Sequence, residues 1–312
     1  MWLIYALGSG FGHLTRACAL ARAAPHDVRV RILTNSPYAG SVQRAFPALE
    51  LAVLDPALAV DEARDEVRRR IAAEPEACLI VDTFPRGLGG ELVDIVPRYR
   101  GRCVLIRRDL NPRYAEAFEL EAFVARSYEL VLEAESPNTA AWLVRSCHEL
   151  PARYRKRERP AVIVCAAGNP EELDWYGTVA AKLRRHDYDV QCVAPVCPST
   201  CPPDCWLAYW PAIDLFPGAD VVVGGGGYNT IYECLACRVP LVARPWPRKY
   251  DRQALRARRY AAAVVANPAD AVAAVEAILS DPPMRERTVG YENGAVAGAA
   301  AIQRVVASSR RH

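Results

Sequence analysis

Short β-branched runs recur along this chain at intervals that a helix would fill, and that alternation leaves few folds open. In the first half the runs are residues 3–7, 28–33, 49–54, 77–82 and 103–108. In the second half they are 161–166, 189–194, 220–225 and 239–244. Amphipathic helical stretches lie between them, so the runs predict βαβ units and parallel sheets buried on both faces. The pattern lapses once, at the charged stretch Pro151-Ala-Arg-Tyr-Arg-Lys-Arg-Glu-Arg-Pro160. The expected architecture is therefore α/β, with two Rossmann-like, doubly wound domains over 1–152 and 161–312 and a linker at 153–160. Ligands of such sheets bind at the carboxyl ends of the strands, which makes a cleft between the two domains the expected site. The Ala-rich end of the chain carries Val296, Ala299, Ala300, Ile302 and Val305 at helical spacing. It reads as a helix packing back across the domains.

Charge and targeting signals narrow the function classes. Of the 39 basic residues three are lysines (Lys156, Lys182, Lys249), and against 36 acidic residues the net charge is only +3. Nothing here resembles the basic field of a nucleic-acid binder. The opening MWLIYALGSGFGH lacks the charged start and long apolar core of a signal peptide, and no run is long enough to span a bilayer. A cytoplasmic protein is expected, with most of its 11 cysteines as buried, reduced thiols. Cys192, Cys197, Cys201 and Cys205 form a local group whose spacing matches no paired metal motif. Free thiols or a local disulfide are expected there rather than a metal. Cys234 and Cys237 read as core.

Two glycine loops carry the chemistry. The first strand runs into Gly8-Ser9-Gly10-Phe11-Gly12-His13-Leu14-Thr15-Arg16, and a helix follows. A dinucleotide reading fails because the next strand ends in Leu33-Thr34-Asn35, without the acidic residue that would hold a ribose. A histidine at a helix start is suited instead to take a proton from a hydroxyl, and the helix dipole favours its neutral form. The other four histidines, His26, His148, His186 and His312, lie in charged or terminal stretches and read as surface residues. Asp82, at the carboxyl end of its strand, is a candidate to orient His13, and Asp109 after the following strand competes with it. The second loop, Gly224-Gly225-Gly226-Gly227-Tyr228-Asn229-Thr230, again leads from a strand to a helix and presents free amides suited to a diphosphate. Thr230 and Glu233 share a face of that helix, a hydroxyl for phosphate and a carboxylate for two ribose hydroxyls. Asp251 and Gln253, after the next strand, offer groups that read sugar hydroxyls.

The stretch from Ala219 to Gln253, together with the N-terminal GxGHxxR loop, resembles the GT-B glycosyltransferases, most closely the family of the lipid II-forming N-acetylglucosaminyltransferase. The resemblance implies that Glu233 binds ribose, that Thr230 and the Gly225, Gly226 and Gly227 amides hold phosphate with Asn229 beside them, and that Asp251 and Gln253 contact the donor sugar. Gly10 and Gly12 of the first loop and the turn at Gly168 and Asn169 would approach the donor. Trp210 and Pro211, with Ala212, would line the base. In plant-type members a D-x-F segment like that at Asp82 supports the catalytic histidine. The resemblance further implies an acceptor-binding first domain and a donor-binding second one. The expected activity is inverting, metal-independent transfer from a nucleotide-diphosphate sugar, a UDP sugar above others, with no cofactor. The acceptor would be a small molecule or a lipid-linked one, with peripheral membrane contact in the latter case. The GFGH spelling with Arg16 is similar also to a UDP-sugar hydrolase that uses water as acceptor. A non-catalytic nucleotide-sugar binding subunit is the other alternative.

Overall fold

A computed structural model describes residues 1–8, 10–135, 139–151, 157–281 and 289–308. Ser9, residues 153–156 of the expected linker and His312 lie outside the described residues. The strands are β1 (Trp2–Tyr5), β2 (Val30–Thr34), β3 (Glu50–Val53), β4 (Cys78–Asp82), β5 (Cys103–Arg107), β6 (Leu130–Glu133), β7 (Ala161–Cys165), β8 (Asp189–Val193), β9 (Trp206–Leu207), β10 (Val221–Gly225), β11 (Leu241–Arg244) and β12 (Ala263–Val264). The helices are α1 (Phe11–Ala23), α2 (Ala39–Ala45), α3 (Val60–Ala72), α4 (Pro112–Ala117), α5 (Leu120–Ser127), α6 (Pro170–Leu183), α7 (Tyr228–Cys237), α8 (Gln253–Tyr260), α9 (Pro268–Ser280) and α10 (Gly294–Ser308).

Two six-stranded parallel sheets result, ordered β3-β2-β1-β4-β5-β6 and β12-β11-β10-β7-β8-β9. The nine apolar runs supply the eight inner strands and the edge strand β3. The other three edge strands, β6, β9 and β12, were not among them. In each sheet the chain winds outward, returns to the centre and winds out the other way. The order therefore reverses between β1 and β4, and again between β7 and β10. Crevices at the carboxyl ends of such neighbouring strands are where open α/β sheets bind ligands. The central strands are fully buried: Ile4, Tyr5, Leu79, Ile80 and Val81 in the first sheet, Val162, Val164, Val221, Val222 and Val223 in the second. Leu3, Leu33, Leu79 and Leu105 share a core with Val67 and Ile71 of α3. Val164, Val223 and Val242 share one with Val179 and Leu183 of α6 and Val275 of α9.

The chain forms two compact units, Met1–Val144 joined by the residues from Asn293 onward, and Arg145–Glu292. Both limits differ from the expected 1–152 and 161–312, for reasons visible in the contacts. Arg145 forks onto Asp214 with two bonds of 2.7 Å, so the second unit begins there. Asn293 exchanges bonds with the backbone of Leu143, accepting from its N–H at 3.2 Å and donating to its carbonyl at 2.6 Å. Helix α10 then packs on α1 and β6 of the first unit. Its buried stripe is Gly294, Ala295, Gly298, Ala299 and Ile302, and Val296, expected to face inward, is 56% exposed. The glycines turn the stripe because the indole of buried Trp142 occupies the space that side chains at 294 and 298 would need. No helix among the described residues is long and apolar enough to cross a membrane.

Candidate active site

His13 stands in the first turn of α1, directly above the β1/β4 crevice. Its Nδ1 lies 2.6 Å from Asp82 Oδ2 at the end of β4. Of the two carboxylates considered for that contact, Asp82 is the one that makes it. Asp82 is wholly buried and is also gripped by Arg16, whose Nε and Nη2 donate to Oδ1 and Oδ2 at 3.0 and 2.7 Å. Burial pushes the Asp82 carboxyl up, but the Arg16 charge and the His13 bond outweigh it and hold it well below its ordinary value. An ionised carboxylate only accepts, so Nδ1 carries the proton and Nε2 is left as the basic nitrogen. Nε2 makes no hydrogen bond to a described residue. Burial lowers the His13 pKa, and Asp82 only partly restores it, so the ring is neutral at physiological pH.

The loop around it is built for that ring. A side chain at Gly8 would begin 2.4 Å from His13 Cδ2, so only glycine leaves room for the imidazole. The Gly8 N–H donates to Asn35 Oδ1 at 2.8 Å, and Ser36 Oγ donates to the Gly10 carbonyl at 3.1 Å. Asn35 thus occupies the post-β2 position where dinucleotide-binding folds keep an acid, and uses it to clamp the loop. Thr83, next to Asp82, holds a left-handed φ of +70° and accepts from Arg16 Nη2 at 3.0 Å. Such strain on a β-branched residue persists only where its surroundings enforce it. Phe84 packs beside the imidazole, with ring centroids 5.3 Å apart. Gly12 lies within α1, and Gly10 is its N-cap without a capping side chain.

The second constellation lies at the β7/β10 crevice. Helix α7 starts behind Gly227 with no side-chain cap, leaving its first amides available. The methyl of Thr230 sits where a side chain on Gly224 would go, at 2.8 Å, and the Thr230 hydroxyl makes no bond to a described residue. Asn229 Oδ1 is buried and likewise unpartnered among the described residues. Glu233, one turn in, is 6% exposed and forms no hydrogen bond or ion pair with a described residue. Burial, with Asp214 adding repulsion, pushes its carboxyl up to about 8. A buried acid without a partner is an acceptor waiting for a donor pair.

The other expected donor contacts are partly committed within the protein. Asn169 Oδ1 caps α6 by accepting from Glu172 N at 2.9 Å, immediately after Gly168 at φ +138°. Asp251 accepts from Arg256 Nη2 at 2.9 Å, while Arg256 Nη1 donates to the Gly226 carbonyl at 2.9 Å. Gln253 Oε1 accepts from Trp246 N at 3.1 Å, and Gly226 must be bare because a side chain there would begin 2.8 Å from the Gln253 carbonyl. The turns at 212–218 that follow Trp210 and Pro211 pack on α7. Cys192, Cys201 and Cys205 are buried free thiols in the second core, whereas Cys197 is exposed. Burial pushes the Cys192 thiol up to about 11. No group of three or more His, Cys, Asp or Glu among the described residues is arranged to hold a metal ion.

Several structural partners escaped the sequence reading. Arg16 lies three residues after His13 on the same helix face, a spacing that could have revealed it. The bidentate pair of Arg248 with buried Glu172, both bonds 2.6 Å, ties the loop after β11 to the start of α6 across 76 residues. No local signal marks it.

No protein-family model and no curated protein matches the sequence. Solved structures do match over nearly the whole chain. The glycosyltransferase SnogD from Streptomyces nogalater shares 14% identity over 98% of this chain and 99% of its own, with a TM-score of 0.58. The Streptomyces sp. SF2575 glycosyltransferase SsfS6, complexed with thymidine diphosphate, shares 17% over 98% and 95%, with a TM-score of 0.60. A putative UDP-N-acetylglucosamine 2-epimerase from Listeria monocytogenes shares 9% over 99% and 96%, with a TM-score of 0.65. The fold is the GT-B architecture of two Rossmann-like domains.

Proposed function

We propose that this chain is a cytoplasmic, inverting and metal-independent glycosyltransferase that uses a nucleotide-diphosphate sugar, a UDP sugar first among candidates. The observation that carries the donor class is Glu233, a buried carboxylate without a partner among the described residues, one turn behind an uncapped glycine-rich helix start. A diphosphate suits the free amides and the Thr230 hydroxyl, and a ribose diol suits the carboxylate. The likeness of residues 219–253 to the lipid II-forming family and the thymidine diphosphate bound by SsfS6 support the same donor class.

His13 supplies the base. As the acceptor oxygen bonds to the anomeric carbon, Nε2 takes the hydroxyl proton. The bond from that carbon to the diphosphate breaks, and its electron pair leaves with the diphosphate. Asp82 steadies the imidazolium that forms, and Arg16 keeps Asp82 ionised. The α7 amides meet the charge growing on the leaving group. Gly10, Gly12, Gly168 and Asn169 would shape the approach to the donor, Trp210 and Pro211 would border its base, and Asp251 and Gln253 would reach its sugar.

The test is a thermal-shift panel of uridine, thymidine and guanosine diphosphates, run on wild type and Glu233→Ala, followed by assays of diphosphate release with and without candidate acceptors. One diphosphate should stabilise the wild type and not the variant, and release should require an acceptor. Stabilisation by none of them would refute the donor reading, and release that needs only water would refute transfer.

A further inference from the structure

Arg244 was assigned no role by its sequence, yet its surroundings single it out. It ends β11 in register with Gly225 of the glycine turn on β10. Its guanidinium lies over the Trp246 ring, 4.6 Å from the centroid. Trp246 Nε1 in turn donates to the Tyr176 hydroxyl at 3.0 Å, and that hydroxyl lies 3.4 Å from where a Gly225 side chain would begin. Arg244, Trp246 and Tyr176 therefore form one wall of the glycine turn. Around this turn Arg248 is spent on Glu172 and Arg256 on Asp251 and the Gly226 carbonyl. Arg244 has no carboxylate among the described residues, and its Nε is buried with no hydrogen-bond partner there. An arginine with one face on an indole and an unused donor fork is prepared for a planar or tetrahedral oxyanion. Burying a guanidinium nitrogen unsatisfied is costly unless a ligand completes it.

We infer that Arg244 is the cation that binds the donor's diphosphate and stabilises it as it departs. This rests on the donor reading above and adds a residue to it. The α7 amides supply partial charges, whereas the leaving diphosphate gains a full negative charge as its bond to the sugar breaks. Arg244, with no anionic partner among the described residues, is placed at this turn to meet that charge.

Calorimetric titration of wild type, Arg244→Gln and Arg244→Lys tests it, using uridine, thymidine and guanosine diphosphates and the corresponding monophosphates. Arg244→Gln should lose about 10- to 100-fold in affinity for the best-bound diphosphate and most of its preference over the monophosphate, with Arg244→Lys between them. A second measurement needs no variant: phenylglyoxal labelling of the wild type, mapped by peptide mass spectrometry, should find Arg244 protected by the diphosphate. If Arg244→Gln keeps the wild-type preference, or Arg244 labels equally with and without diphosphate, the inference is overturned while the donor site stands. If the wild type binds no nucleoside diphosphate, the donor reading falls and this assignment with it.

Discussion

Glu233→Gln should make the protein more stable and less able to bind nucleotide. In the folded chain the Glu233 carboxyl is pushed from its ordinary 4.5 up to about 8 by burial. Every tenfold change in proton affinity corresponds to about 1.36 kcal/mol. The folded pKa is raised, so the folded state holds the proton more tightly than the unfolded one. The resulting penalty is absent below pH 4.5, grows as pH rises, and saturates above pH 8 at roughly 4–5 kcal/mol. Glutamine never ionises and escapes it. Comparing the two proteins at pH 5 and pH 8 cancels fixed costs such as the buried amide. The variant's advantage should widen by about 3 kcal/mol between those values. At about 2–4 °C per kcal/mol for a domain of this size, calorimetric melting should show a widening on the order of 6–12 °C. Saturating diphosphate at a hundred times its dissociation constant should add about 2.7 kcal/mol to the wild type and far less to the variant. A variant that melts below wild type by an equal margin at both pH values would refute the reasoning, because Glu233 would then be an ordinary structural carboxylate.

Four further outcomes are expected. His13→Ala should lower turnover by about 10²–10⁴-fold while leaving diphosphate affinity unchanged, read by kinetics and calorimetry on one preparation. The wild-type kcat/KM should fall on the acid side with a midpoint below 6.5, since the neutral imidazole is the active form and burial depresses its pKa; a midpoint above 6.5 would contradict the assignment. Asp82→Asn leaves the Arg16 guanidinium buried without its counter-charge and should cost about 3–5 kcal/mol in denaturant unfolding. It should also move the kinetic midpoint to still lower pH, because Asp82 is what raises the His13 pKa. Gly8→Ala places a methyl 2.4 Å from the imidazole and should cost activity with little loss of cooperative unfolding, so wild-type turnover in that variant would count against the loop geometry.

Strands and loops were legible in the chain to very different degrees. The inner strands are continuous β-branched runs because both their faces are covered, and such runs stand out. Three of the four edge strands do not: β9 and β12 have two residues each, and β6 carries no buried side chain, whereas the edge strand β3 lies in a readable run. Little hydrophobic pattern is required of a strand that pairs on one side only. The contact between His13 and Asp82 could be foreseen because each closes a strand or opens a helix at the same end of one sheet. Helix α10 could be recognised as a helix from its apolar spacing, but that spacing carries no address. Its place in the first unit follows from Trp142 and Asn293, more than a hundred positions apart. The same distance problem hides the Glu172–Arg248 tie.

Two buried carboxylates at the two crevices separate structural from ligand-seeking chemistry. Asp82 faces the bidentate Arg16 fork, the Thr83 hydroxyl and His13 Nδ1, so its desolvation is compensated within the fold and its pKa falls. It serves His13 and has no need of a ligand. Glu233 is buried almost as deeply with no such partner among the described residues, and its pKa rises instead. Desolvation alone would act alike on both groups, so the opposite directions follow from the charged partners that Asp82 has and Glu233 lacks. A fold that spends an arginine on one acid and leaves the other unsatisfied is less stable than it could be, a cost that the proposed donor site would account for. Arg244 is the cationic counterpart in the same unit, held on an indole with no anion beside it among the described residues. A carboxylic acid and a guanidinium cation thus flank one glycine turn, with no ion pair between them among the described residues. A ligand carrying hydroxyl donors at one end and an anionic group at the other would satisfy both, and a nucleoside diphosphate has that polarity.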